Sequence, residues 1–444
     1  MTAPIADFVE DYRTKKPVRL HMPGHKGKTH LGPEVSDLTE IPGADVLYHA
    51  DGIIRRSEER ASAIFGSRRT LYSAEGSSLC IRSMLYLAGL YAAKEGRSAK
   101  ILAGRNAHSV FLTGAALLDL DVEWIYPEEG DGLLRCSINP DKLDRLLMKE
   151  AYAAVYITSP DYLGNMADIA ACAAVCRRHG VLLLVDNAHG AYLKFLPESR
   201  HPMDLGADLC CDSAHKTLPV LTGGAYLHFS ENCPVYLQHA GEAAMRLFAS
   251  TSPSYLILQS LDRANEILDS YFPSKLLKTA ELLDSLKHRL NEDGWQTVGD
   301  EKLKLTLMPK LRGLTGVETA RILAEQNIFC EFADPDYIVF MVSPCNEPEE
   351  LDALFSVLHA MPRRPAIEEK PPEIRSHRQM MPLRKAMLSP FETLPVHSCR
   401  GRILAAPTVS CPPAVPILVC GEMITEEAVP LFDYYGIREC DVVL

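Results

Sequence analysis

The chain has 444 residues, 47% hydrophobic and 23% charged, the balance of a folded globular protein with room for about three domains. With 46 Lys and Arg against 58 Asp and Glu the net charge is −12, which argues against nucleic acid as a partner, since neutralising phosphates takes a basic surface. The 13 cysteines lack the paired spacing of a disulfide framework or a zinc ribbon and read as small apolar residues in a reducing compartment.

Asp7, Glu10 and Asp11 argue against a secretory signal, and no apolar run is long enough to span a bilayer, so a cytoplasmic location without membrane contact is expected. Apolar spacing predicts a helix over 79–94, stopped at Gly96. A short strand over 100–103 leads into the polar loop from Gly104 to His108. A buried strand over 153–158 is followed by a loop with Pro160 and Gly164. Asp168 then caps a helix running to His179, with Arg177 and Arg178 in its last turn and Gly180 after it. A second buried strand, 181–185, places Asp186 at its carboxyl end, and 207–211 and 224–228 continue the series.

This alternation predicts an α/β fold with a mainly parallel sheet covered on both faces, where ligands bind beyond the carboxyl ends of the strands. His108, Asp186 and Lys216 all follow such ends. From about residue 265 amphipathic helices (274–290, 317–325, 347–360) around strands 328–332 and 337–342 predict a smaller α/β domain. A proline-rich, charged linker and a small strand-rich C-terminal domain follow. The expected boundaries are an N-terminal arm over 1–45, a large domain over 46–265, the small domain over 266–362, the linker over 363–378 and the C-terminal domain over 379–444.

Lys216 closes the stretch Asp212-Ser213-Ala214-His215-Lys216, downstream of Asp186 at a strand end. That pairing is what a pyridoxal-phosphate enzyme needs. The amine can hold the cofactor aldehyde as a Schiff base, and the carboxylate can keep the pyridine nitrogen protonated so that the ring accepts electrons. Neither residue is informative alone. Glu75-Gly76-Ser77-Ser78 precedes the first long helix; its N–H groups, hydroxyls and helix dipole can hold a phosphate, or it can simply cap the helix. Ser213 and His215 could add phosphate contacts. His108 could stack on a planar ring or be an ordinary loop histidine. Asp186 needs a positive partner such as a pyridinium, unless it only caps the next turn.

The residues resemble the Orn/Lys/Arg decarboxylases, fold-type I pyridoxal-phosphate enzymes, in the short form without an N-terminal wing domain. The resemblance runs through His21-Met22-Pro23-Gly24-His25-Lys26-Gly27, Ile41-Pro42-Gly43-Ala44-Asp45-Val46-Leu47, Phe65-Gly66 and Arg105-Asn106-Ala107-His108. It continues through Asp186-Asn187-Ala188-His189-Gly190-Ala191, Ser213-Ala214-His215-Lys216-Thr217-Leu218, Ser250-Thr251-Ser252-Pro253-Ser254-Tyr255 and the closing Val415–Glu422 stretch. Glu75 departs from the family's Asn, and Leu79-Cys80-Ile81 from its small-Gly-Asn sequence. Ser109 stands in place of Lys, Asn187 in place of a frequent Glu, and Ala214 in place of Thr.

The resemblance implies the aspartate-aminotransferase-like large domain with smaller and C-terminal domains. It also implies pyridoxal-phosphate-dependent decarboxylation of arginine, lysine or ornithine to the amine and CO₂. Lys216, Asp186, His108 and His215 are then the expected catalytic residues. Ser77, Ser78, Leu79, Ala188, His189 and Ser213 join them around the cofactor, with Thr251 or Ser252 reaching the phosphate of a neighbouring subunit in a homodimer or larger assembly; no metal is expected. Two alternatives stand beside this. One is an aminotransferase or aldolase of the same fold, with Arg312 or Arg378 clamping the substrate carboxylate. The other is a diverged, non-catalytic homologue.

Overall fold

The structure is a computed structural model describing residues 3–128, 130–373, 375–406, 408–411 and 415–444. Its main sheet has seven strands: β1 Arg69–Ser73, β2 Lys100–Gly104, β3 Asp121–Ile125, β4 Ala154–Thr158, β5 Leu182–Asp186, β6 Leu209–Asp212 and β7 Ala225–Phe229. They are ordered β1-β7-β6-β5-β4-β2-β3. β5 pairs with β6 and β2 with β3 in parallel, whereas β7 runs antiparallel to both of its neighbours, β6 and β1. β5 explains itself from sequence: Leu182, Leu183, Leu184 and Val185 are all buried, as in a strand covered on both faces. Asp186, one residue further, marks where the apolar run stops.

The chain divides into two compact units. One comprises Met1–Ser98, Leu147–Ala154 and Ile169–Lys275; the other comprises Ala99–Leu146, Val155–Asp168 and Leu276–Leu444. In the first, the helix Gly76–Glu95 runs longer than the spacing predicted, starting at the glycine of the candidate phosphate loop. The helix Ile53–Phe65 carries Glu58, only 6% exposed, whose Oε1 accepts the Tyr72 N–H at 2.9 Å.

Burial pushes the Glu58 carboxyl from its ordinary 4.5 up to about 8, with the Tyr72 bond opposing. Between those two values the unfolded chain releases this proton while the folded chain keeps it, so stability falls as pH rises through the window. Glu58→Gln keeps an acceptor for Tyr72 and removes the charge. It is expected to raise the apoprotein's Tm by ~3 °C at pH 8.5 and leave it nearly unchanged at pH 4.5. Thermal melts across pH check this; an equal shift at both values would refute it.

In the second unit a four-stranded antiparallel sheet is ordered Phe332–Ala333, Ile338–Met341, Lys304–Leu307, Thr297–Val298. The strand expected over 328–332 is therefore corrected. Ile328 closes the preceding helix, its N–H donating to Leu323 O at 3.0 Å after Asn327 turns left-handed (φ 59°), so the strand itself is only Phe332–Ala333. The C-terminal region forms two antiparallel strand pairs, Phe391–Pro395 with Glu439–Val443 and Thr408–Cys411 with Val415–Val419, and the short helices Leu383–Met387 and Val429–Tyr434. Its apolar core gathers Val396, Leu404, Ile417, Leu418, Leu431 and Phe432. Among the described residues no helix is long and apolar enough to cross a membrane.

Candidate active site

In the first unit, Asp186 is 2% exposed; its Oδ1 accepts the Ala188 N–H at 3.2 Å and lies 3.7 Å from Sγ of Cys211, its register partner in β6. The turn after Asp186 brings His189, itself buried, to Lys216: Nε2 and Nζ are 2.9 Å apart. Lys216 sits on the one-turn helix Ala214–Thr217 directly after β6. The two motifs that the sequence offers as one constellation thus meet through an imidazole and an amine.

The anion-directed residues also converge. The Ser213 hydroxyl donates to Ser77 Oγ at 2.7 Å, and Ser77 and Ser78 occupy the first turn of Gly76–Glu95, where N–H groups lack helical partners. Leu79 turns its side chain into the core. Gly76 N–H donates to Gly223 O at 2.7 Å, and His215 donates to Gly224 O from its backbone N–H (3.2 Å) and from Nδ1 (3.0 Å). Gly223 has φ 97°, and a Cβ there would stand 3.1 Å from Ala74 O, so this loop can approach the helix start only as glycine. The exposed Glu75 directs its Oε1 to the Ser250 N–H at 2.7 Å. Its carboxylate is thereby engaged by the loop that carries Thr251 and Ser252, both exposed.

A buried hub that sequence reasoning missed lies beneath these loops. Asp212 Oδ2 accepts from His201 Nε2 (3.0 Å) and His228 Nε2 (3.2 Å), and its Oδ1 accepts from the Asn187 amide at 2.6 Å. All four residues are fully buried. His201 Nδ1 accepts the Met203 N–H at 3.3 Å, so the imidazole proton sits on Nε2 and points at Asp212. Cys210 Sγ belongs to the same cluster, with ligand-type atoms within 4.8 Å of one another, but a protonated Nε2 donates and does not ligate. Burial alone would raise the Asp212 carboxyl; the bonds and charges of His201 and His228 instead hold it well below the ordinary carboxylate range. Burial pushes His228 down, opposed by Asp212. The hub ties Asn187, next to Asp186, to Asp212, next to Ser213. A histidine inside the apolar strand β7 was the one available signal.

His108 belongs to the other unit. It caps the helix Ser109–Leu117, its Nδ1 accepting the Val110 N–H at 3.2 Å. Arg312, the candidate carboxylate clamp, is buried against Asp293 (2.8 Å) and Met361 O (3.2 Å), and is thereby committed to structure; Arg378 is exposed. An amine on a half-buried lysine, a buried carboxylate after a parallel strand and hydroxyls at a helix N-terminus form a donor set that fits pyridoxal phosphate.

Comparison with known proteins points the same way. Residues 3–296 match the model of the Orn/Lys/Arg decarboxylase major domain, and residues 373–440 that of the Orn/Lys/Arg decarboxylase C-terminal domain. The chain is 28% identical over 463 residues to an arginine decarboxylase of Bacillus subtilis (strain 168), covering 96% of this chain and 91% of that protein. It is 29% identical over 460 residues to an arginine decarboxylase of Halalkalibacterium halodurans, covering 95% and 91%. In fold it is similar to the Francisella novicida lysine decarboxylase LdcF, with a TM-score of 0.81 at 16% identity over 100% of this chain and 81% of that one.

Proposed function

This chain belongs to the Orn/Lys/Arg decarboxylase family, and from that premise we propose that it is a pyridoxal-phosphate-dependent decarboxylase of a basic amino acid, with arginine, the substrate in the names of its curated relatives, the first to test. The observation that carries the reading is the 2.9 Å approach of Lys216 Nζ to His189 Nε2, which joins the lysine motif to the turn that follows Asp186. When bound, pyridoxal phosphate supplies a conjugated ring that takes up the electron pair left by departing CO₂.

Lys216 would hold the cofactor through Nζ and return a proton to the substrate Cα. His189 orients that amine and exchanges a proton with it. Asp186 would keep the pyridine nitrogen protonated, Ala188 would lie against one face of the ring, and His108 would stack on it. Ser77, Ser78, Leu79 (through its backbone), Ser213 and His215 would hold the phosphate, joined by Thr251 or Ser252 of a second copy. A homodimer fits the N-terminal arm, which leaves Val18, Leu20, Met22 and Leu31 exposed for a second chain to cover. A cytoplasmic location and the division into an arm, a 46–265 cofactor domain, a 266–362 small domain, a 363–378 linker and a 379–444 C-terminal domain complete the proposal.

The cofactor-loaded protein, incubated separately with arginine, lysine and ornithine, is expected to release CO₂ and the matching amine in equal amounts from one of them. Keto acid in place of CO₂ would overturn the reaction type.

A further inference from the structure

The two ends of the helix that His108 caps are held by residues of the C-terminal domain, all within the second unit. Arg105, three residues before His108, is 1% exposed and donates from Nη1 to Pro416 O (2.8 Å) and from Nη2 to Ile417 O (2.9 Å), both on the strand Val415–Val419. The same guanidinium lies 3.6 Å from Glu422 Oε2, also 1% exposed. Glu422 is itself fixed: Oε2 accepts the Val419 N–H at 2.8 Å and Oε1 the Tyr126 hydroxyl at 3.3 Å. Trp124 and Tyr126 add aromatic contact, their ring centres 5.3 and 5.9 Å from the guanidinium carbon. The loop is short and closed, with Arg105 N–H on Ile125 O (2.9 Å) and Ala107 N–H on Gly104 O (3.0 Å). At the other end of the helix, Arg384 Nη1 donates to Leu117 O at 2.6 Å, a cation on the negative end of the helix dipole.

We propose that the C-terminal domain is a clamp that positions His108: the Arg105–Glu422 pair and the carbonyls of 416 and 417 set the loop, and Arg384 sets the helix behind it. A buried Arg and Glu are too costly to desolvate for packing alone, and their bonds lock a backbone segment only three residues from the imidazole. Arg105, Glu422 and Arg384 are then positioning residues. The proposal rests on the reading of His108 as the group that stacks on the cofactor ring.

The test compares His108→Ala, Glu422→Gln, Arg384→Ala and the double variants carrying His108→Ala. Each apoprotein is titrated with pyridoxal phosphate while the visible circular dichroism of the bound ring is followed, and the apoprotein Tm is recorded. Glu422→Gln keeps the shape of the side chain, and Arg384→Ala, on an exposed side chain, guards against a failure to fold. Both are expected to weaken cofactor binding about tenfold and change the dichroism in the same sense as His108→Ala, and to add little on top of it. Losses that add fully to that of His108→Ala would overturn the clamp alone, as would unchanged binding in Glu422→Gln and Arg384→Ala. No effect of His108→Ala itself would overturn the stacking reading, and the clamp with it.

Discussion

Replacing Lys216 by alanine is expected to abolish CO₂ release from every basic amino acid, a fall of at least ~10³-fold. Lys216 Nζ lies 2.9 Å from His189 Nε2, and on the proposed reading that amine would hold the cofactor aldehyde and carry a proton to Cα. Lys216→Arg is the sharper control, since it keeps the charge but is far too basic to act as the nucleophile. Borohydride treatment of the loaded wild type, followed by peptide mass analysis, is expected to fix the cofactor on Lys216 and on no peptide of either variant. Because Lys216 is only half-buried on a one-turn helix, the apoprotein's Tm is expected to change little. Turnover surviving in Lys216→Ala would remove the core of the mechanism.

Asp212→Ala is expected to cost roughly 3–5 kcal/mol of stability, since buried donors lose their acceptor at about 1–3 kcal/mol each. The substitution leaves the Nε2–H groups of His201 and His228 and the Asn187 amide facing an apolar hole. It also frees the turn after Asp186 from the start of the lysine motif, so cofactor affinity should fall with stability. The dependence on pH carries the sign. His228 has its pKa lowered from 6.5, so below 6.5 the unfolded chain binds a proton that the folded one refuses, and wild-type stability drops as pH falls. The Asp212 carboxyl is depressed, so its own contribution is complete above its ordinary 3.8 and is lost as pH falls further. Urea unfolding of both apoproteins at pH 7.5, 5.5 and 4 is the measurement. A variant within about 1 kcal/mol of wild type at pH 7.5 would mean that the hub contributes little.

How much could be read beforehand follows from where each signal lies along the chain. Five apolar residues and an aspartate announce β5, and an alanine-rich helix ending in two arginines and a histidine announces Ile169–His179; both are found within one or two residues of the expected ends. Lys304–Leu307 was not legible, because Lys304 and Thr306 are buried polar residues inside a strand. Lys304 is buried against Glu301 at 2.9 Å and the carbonyl of Asp161 at 3.1 Å, partners that periodicity does not encode. The antiparallel course of β7 was equally hidden, since a period of two looks the same in either direction. At the site, Lys216, Asp186, Ser77 and Ser213 stood out because their motifs are local. Arg105 and Glu422 each lay in a recognised stretch, yet nothing local joins two side chains from opposite ends of the chain. His201 and His228 carried no motif at all.

The division of the chain into two units has a consequence for how it is made. The polypeptide passes between them five times, at 98–99, 146–147, 154–155, 168–169 and 275–276. Neither unit is therefore a continuous stretch: the first has all of its segments only after residue 275, and the second only after residue 444. The strand Phe391–Pro395 of the second unit leaves the ribosome before its partner, and the pair forms only once Glu439–Val443 has been made. During that interval the nascent chain presents unsatisfied strand edges, the condition under which non-local topologies fold slowly and aggregate. Co-expression with holdase chaperones should thus raise the soluble yield more than slower growth alone, and splitting the gene at any point between residues 99 and 275 should leave neither unit whole on one piece.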